Sequence, residues 1–404
     1  MPAITSPVAY LPYAEPKLIP ADSSARYTLD GDGPLEARIG RICENVRLGI
    51  TQVVPGRRLE GILLGGGYGR GEGGVLRTAK GDQPYNDLEF YVLLRGHPVL
   101  NEWRHRRSLD QLAHRLTEEA GLEVEFKILS TATLRGRPVS MFSYDLVQGH
   151  HRVAGDSRLL RGCEHHLRAN DIPLEEATRL LFNRCSGLLF ARARLDRVHF
   201  KPADADFVER NIAKARLALG DVVLTALGQY HWSCRERHRR LENLSGPEGV
   251  PCLESIHEEH ARGVDFKLHP NRSGRSAREL REDFRQVSQL ACRLWLWVES
   301  RRLHAAFRTP GGYALHEPAK CPDTSPLRNW LVTARHLGWR ELFRPAALRY
   351  PRERLLRALP VLLWQPGLLG NSRVRRRLQK DLRTPATDES GLLAAYTRLW
   401  EVFR

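Results

Sequence analysis

Apolar positions along the chain change period twice, and the changes outline its organisation. Leu35, Ile39, Ile42, Val46, Ile50 and Val53 recur at three- and four-residue spacing, which predicts a helix with one buried face, capped by Asp32 or Gly33 and opened by Pro34. After it the pattern shortens to strands. EGILLG (60–65), DLEFYVLL (87–94) and the alternating LEVEFKIL (122–129) are rich in strand formers, and VSMFSYDLV (139–147) is a fourth candidate. Between the second and third, Leu109, Leu112, Ala113 and Leu116 predict a helix with Ser108 as its cap. Beyond residue 172 strand signals fade. Long amphipathic stretches at 173–195, 206–232 and 277–303 predict a helical region, with linkers at LHPNRSGRS (268–276) and RTPGGY (308–313).

The expected fold class is therefore α+β: a small mixed sheet followed by a mainly α-helical C-terminal domain. The segmentation is an extended N-terminal arm over 1–33, a mixed α/β domain over 34–165, and a helical domain over 172–404, divisible near 268–276. A chain of 404 residues with 42% hydrophobic content is long enough for two or three cores.

Composition narrows the partners. No basic n-region precedes an apolar stretch at the start, and no run reaches the roughly 18 apolar residues of a membrane span, so the expectation is a cytoplasmic protein with no membrane partner. Seven scattered cysteines without a CxxC pair fit reduced thiols. The formal charge of +16 favours polyanions, RNA among them. The clusters RHRR (104–107), RERHRR (235–240) and RVRRR (373–377) are nevertheless dispersed and lack interleaved aromatic residues, so a solvated arginine-rich surface explains them equally.

The chemistry concentrates where the first strand runs into GGGYGRGEG (65–73). So many glycines cost backbone entropy unless their freedom is used. A phosphate cradle uses it, with the amides of Gly66 and Gly67 turned to an anion and Arg70 adding charge; a glycine-rich turn or lid is the alternative. Asp87 and Glu89 follow at a spacing of two, which on a strand places both on one face, and like charges so placed call for a cation between them. Glu125 on the next strand is the candidate third carboxylate, Asp145 its substitute, and a solvent-facing alternation the other explanation. Lys214, seven residues from Asp221 on the 206–232 helix, is a further candidate phosphate contact or an ordinary surface lysine. The histidines of CEHH (163–166) and the pair His150–His151 lack the second Cys/His pair of a zinc site.

Together, GGYGRGEG (66–73) and NDLE (86–89) resemble the glycine motif and carboxylate strand of the DNA polymerase beta-like nucleotidyltransferase superfamily, over roughly residues 60–156. The resemblance implies Mg²⁺, with Mn²⁺ as the alternative ion, held by Asp87, Glu89 and Glu125. It also implies a nucleoside triphosphate substrate, ATP first, and transfer of its nucleotidyl group to a hydroxyl acceptor, a small molecule before RNA or protein. A helical C-terminal domain would supply further substrate contacts. Two features depart from the family pattern: the spacer GVLRTAKGDQPY (74–85) is long and carries Gly81 and Pro84, which oppose a continuous helix, and the second carboxylate is Glu rather than Asp. A nucleotide sensor without turnover and a basic RNA-binding protein are the competing functions.

Overall fold

In the computed structural model, residues 26–403 are described, apart from 245, 247, 248, 273 and 344. Residues 1–25 of the expected arm lie outside the described residues. Helix α1 spans Gly33–Val53 with Asp32 accepting from the Leu35 amide, as its spacing predicts. There follow β1 (Leu59–Leu64), a single turn α2 (Gly66–Gly69), β2 (Val75–Thr78), β3 (Gly81–Pro84), β4 (Leu88–Leu94), α3 (Pro98–Ala120) and β5 (Val124–Leu129). Short helices α4 (Thr131–Gly136) and α5 (Met141–Gln148) then lead to β6 (His151–Gly155).

The chain divides into two units, one of residues 1–73 and 86–171, the other of 74–85 and 172–404. In the first unit a four-stranded sheet runs β5-β4-β1-β6. Strands β4 and β5 are parallel, joined through α3, whereas β1 is antiparallel to both β4 and β6. Both faces of β4 are covered, which is why it reads as an almost continuous apolar run. Leu63, Tyr91 and Leu93 share one face with Leu134, Leu146 and Val147. Helices α1 and α3 pack on each other and against β1, β5 and β6.

Two sequence expectations fail here. Residues 141–148 form α5 rather than a strand, because the Ser140 hydroxyl accepts from the Ser143 amide and starts a helix. The true fourth strand is the half-buried β6. Helix α3 begins at Pro98, so Ser108 lies inside it instead of capping it; the buried face continues back through the polar residues His105 and Asn101. Asn101 is held there by donating to the Arg95 carbonyl at 3.1 Å.

The second unit contains α6 (Leu174–Leu195), α7 (Pro202–Ala226), α8 (Cys234–Glu242), α9 (Leu253–Leu268), α10 (Ala277–Arg302) and α11 (Pro310–Leu315). It continues with α12 (Pro326–Leu337), α13 (Arg352–Trp364), α14 (Ser372–Leu382) and α15 (Glu389–Phe403). One apolar core runs through α6, α7, α10 and α13. The expected 308–313 linker is partly the helix α11, whose first turn Thr309 caps at the Gly312 amide. The spacer 74–85 belongs to this unit as the antiparallel β2–β3 hairpin, and Tyr85 meets the Phe266 ring edge-on at 6.1 Å.

Lys320 is an unusual member of this core. Its side chain is fully buried; Nζ donates to the Tyr313 carbonyl at 2.9 Å and lies 4.1 Å from the centre of the Tyr313 ring. Burial, reinforced by Arg357, lowers its pKa to about 7. The folded state therefore binds fewer protons than the unfolded chain between pH 7 and the ordinary lysine range, and stability from this group rises with pH across that window. Lys320→Met is expected to stabilise the protein at pH 7 by about 1–4 kcal/mol and to flatten its alkaline rise in stability, as read from urea denaturation at pH 7 and 9.5.

Candidate functional site

Strand directions bring three distant segments to one end of the sheet in the first unit. Because β1 and β4 are antiparallel, the end of β1 lies beside the start of β4: Leu64 pairs with Phe90, and the Gly65 amide donates to the Glu89 carbonyl at 2.9 Å. Because β4 and β5 are parallel, the start of β5 lies beside it on the other side, with Glu89 directly opposite Glu125. The glycine turn, Asp87–Glu89 and Glu125 thus meet without any of the connecting segments having to take part.

One carboxylate oxygen from each of Asp87, Glu89 and Glu125 lies within 4.8 Å of the others, and among the described residues this is the one group of three with metal-ligand spacing. Two oxygens on one Mg²⁺ are at most about 4.2 Å apart, twice a bond of about 2.1 Å, so side-chain rotation suffices to close the set. All three donors are hard oxygens, the chemistry Mg²⁺ and Mn²⁺ prefer. Asp87 lies one residue before β4 rather than on it, and is exposed. Glu89 is more enclosed: its Oε2 accepts from the Tyr91 hydroxyl at 3.1 Å and its Oε1 from Lys127 Nζ at 3.1 Å. Lys127 Nζ also lies 3.2 Å from Glu125 Oε2. Burial opposes the charge on Lys127, but Glu89 and then Glu125 outweigh it and raise its pKa. Burial, with Glu89, drives the Tyr91 hydroxyl well above its usual pKa, so it stays a donor.

Two glycines shape the turn. Gly66 has φ +62°, which favours glycine, and a Cβ there would lie in ordinary contact with Glu89 Oε2 at 3.6 Å, so the turn packs directly beside the carboxylate. At Gly69 a Cβ would come 2.0 Å from the Leu64 carbonyl oxygen; only glycine lets α2 fold this tightly against β1. Gly66 and Gly67 open α2, and amides of a first helical turn have no intrahelical acceptor. The helix expected after the glycines is cut to this single turn, since the spacer forms a hairpin instead.

Arg70 ends the turn, its Nη1 3.2 Å from Asp145 Oδ2, with both side chains largely buried. Asp145, the substitute for Glu125, is on α5 and serves Arg70 rather than the carboxylate cluster. Lys214 is exposed on α7 of the second unit. Asp221 does not share its surroundings despite the seven-residue spacing, because α8 and α9 cover that part of α7: Arg237 Nε approaches Asp221 at 2.6 Å and His260 Nε2 at 3.3 Å. Burial would raise the Asp221 pKa, but Arg237 and His260 hold it below the usual range. His150 and His166 spend one ring nitrogen each on backbone carbonyls, those of Leu146 and Leu134, at 2.9 Å.

Sequence reasoning missed Tyr91 and Lys127 as parts of the site. The signal was present for both. Each lies two residues beyond a site carboxylate on its own strand, and so on the same face. No family model, curated protein or solved structure matches the chain. No helix among the described residues is long and apolar enough to cross a membrane.

Proposed function

We propose that the protein is a metal-dependent nucleotidyltransferase that moves a nucleoside monophosphate from a nucleoside triphosphate, ATP first, to a hydroxyl acceptor, with a small molecule favoured. The observation that carries this reading is the convergence of Asp87, Glu89 and Glu125 beside the glycine turn. The order of parts also supports it: strand, glycine turn, one carboxylate just before the next strand and one on it, then a parallel strand carrying the third.

In this reading Asp87, Glu89 and one oxygen of Glu125 would hold Mg²⁺ together with the triphosphate, and the amides of Gly66 and Gly67 orient its terminal phosphates. Mg²⁺, when bound, neutralises charge developing on the α-phosphate and on the departing pyrophosphate. The acceptor oxygen attacks the α-phosphorus, the bond to the bridging α,β-oxygen breaks, and pyrophosphate leaves with that electron pair. Glu125, 47% exposed and therefore open to an incoming hydroxyl, accepts the acceptor's proton. Arg70, at the end of the glycine turn, is oriented by its pair with Asp145.

Incubating the protein with each α-labelled nucleoside triphosphate, Mg²⁺ and a small-molecule extract tests this. The expected result is label in one acceptor with stoichiometric pyrophosphate. Triphosphate binding without turnover over a broad acceptor panel would assign the sensor function instead. Salt-sensitive RNA binding that survives Asp87→Ala, without label transfer, would assign the RNA-binding one.

A further inference from the structure

Lys127 is the charged group at the site that a set of metal ligands does not itself require. It stands two residues after Glu125 on β5, level with Tyr91 on β4. Its ammonium bridges Glu89 Oε1 at 3.1 Å and Glu125 Oε2 at 3.2 Å, so one cation joins carboxylates from two strands. Those carboxylates are direct register partners, a placement that repels unless positive charge lies between them. Lys127 thus occupies ground that a divalent ion shared by Glu89 and Glu125 would need.

The contacts are built to be exchanged. The side chains of Lys127, Glu89 and Glu125 are 37%, 28% and 47% exposed, and ion pairs so open to water are weak. The flexible four-carbon stem lets the ammonium move aside while β5 stays in place. Glu89 keeps a second partner when the ammonium leaves, because the Tyr91 hydroxyl donates to its other oxygen at 3.1 Å.

We propose that Lys127 is a built-in counter-cation: it holds Glu89 and Glu125 together until a divalent ion displaces it, so that metal entry and release of Lys127 are one exchange. The proposal rests on the reading of Asp87, Glu89 and Glu125 as metal ligands. The exchange sets affinity for the bare ion below what three carboxylates alone would give. An ion arriving with a triphosphate is favoured, because the released ammonium then gains phosphate oxygens in place of the two carboxylates.

The test is Mn²⁺ binding to the full-length protein without nucleotide, followed by the electron paramagnetic resonance signal of the free ion. Lys127→Met is expected to bind Mn²⁺ about tenfold more tightly than wild type, and to gain less affinity than wild type when a non-hydrolysable nucleoside triphosphate is added. Lys127→Arg keeps the charge and should remain near wild type. Lys127→Gln replaces the Met variant should that fail to fold, with the same expected tightening. Equal or weaker binding by Lys127→Met or Lys127→Gln overturns the exchange, while loss of binding in Asp87→Asn leaves the metal reading standing. If Asp87→Asn binds Mn²⁺ as wild type does, the ligand assignment fails and the exchange falls with it.

Discussion

Asp87→Asn is expected to lower Mg²⁺-dependent pyrophosphate release by about 10³-fold or more while leaving the melting temperature within about 2 °C of wild type. Asp87 is exposed and precedes β4, so no core packing depends on it. The substitution keeps the shape of the side chain and removes only its charge. A metal ion shared with Glu89 and Glu125 loses a third of its anionic ligands, and charge on the departing pyrophosphate is left less compensated. Glu89→Gln should match the loss of activity but also disturb the fold locally, because Lys127 and Tyr91 both bond that carboxylate. Activity measured by pyrophosphate release, with thermal melts alongside, separates the two. Wild-type turnover by both variants would refute the site.

A second large effect is expected far from the chemistry. Glu299→Ala should destabilise the helical unit by about 3–5 kcal/mol, because it strands a buried guanidinium. Glu299 is 1% exposed, and it accepts from Thr178 Oγ1 at 2.5 Å, from Arg302 Nε at 2.9 Å and Nη2 at 2.7 Å, and from the Tyr313 hydroxyl at 2.8 Å. One carboxylate thus ties α6, α10 and α11. Burial alone would lower the pKa of Arg302, but Glu299 raises it well above the arginine range, so the guanidinium stays charged throughout ordinary pH. Glu299→Gln retains part of the hydrogen bonding and should cost less. Urea denaturation followed by tryptophan fluorescence reads the change, since buried Trp295 packs edge-on to Tyr313 at 5.8 Å. A shift below about 1 kcal/mol for Glu299→Ala would show that the four bonds contribute little.

What could be read from the sequence followed from side-chain period and charge. The helix α1 and the strands β1, β4 and β5 follow from apolar spacing and strand alternation. The failures have specific causes. VSMFSYDLV is too short for its apolar residues to separate period 2 from period 3.6, and the deciding contact is the Ser140 cap. The first turns of α3 bury Asn101 and His105, which a scan for apolar residues passes over. The helix predicted to reach residue 232 ends at Ala226, closed by the Gln229 amide on the Leu224 carbonyl, a contact that hydropathy does not report. The hairpin 74–85 is polar and short-stranded; Gly81 and Pro84 spoke against a continuous helix there, but not for what replaces it. Lys127 was visible as part of an alternating face, yet its role depends on the register between β4 and β5, which no local pattern encodes.

The hairpin also governs how this protein can be taken apart. Its two ends continue into Gly73 and Asn86 of the first unit, while its strands belong with residues 172–404. The polypeptide therefore changes units three times, at 73/74, 85/86 and 171/172, and no single cut separates them. A fragment ending at residue 171 carries a hairpin deprived of the helices it folds with, and a fragment starting at 172 lacks that hairpin. Expression of either unit alone calls for a short artificial bridge from Gly73 to Asn86, or for the hairpin supplied in trans, and truncation series designed on a simple two-domain boundary would misreport the stability of both halves.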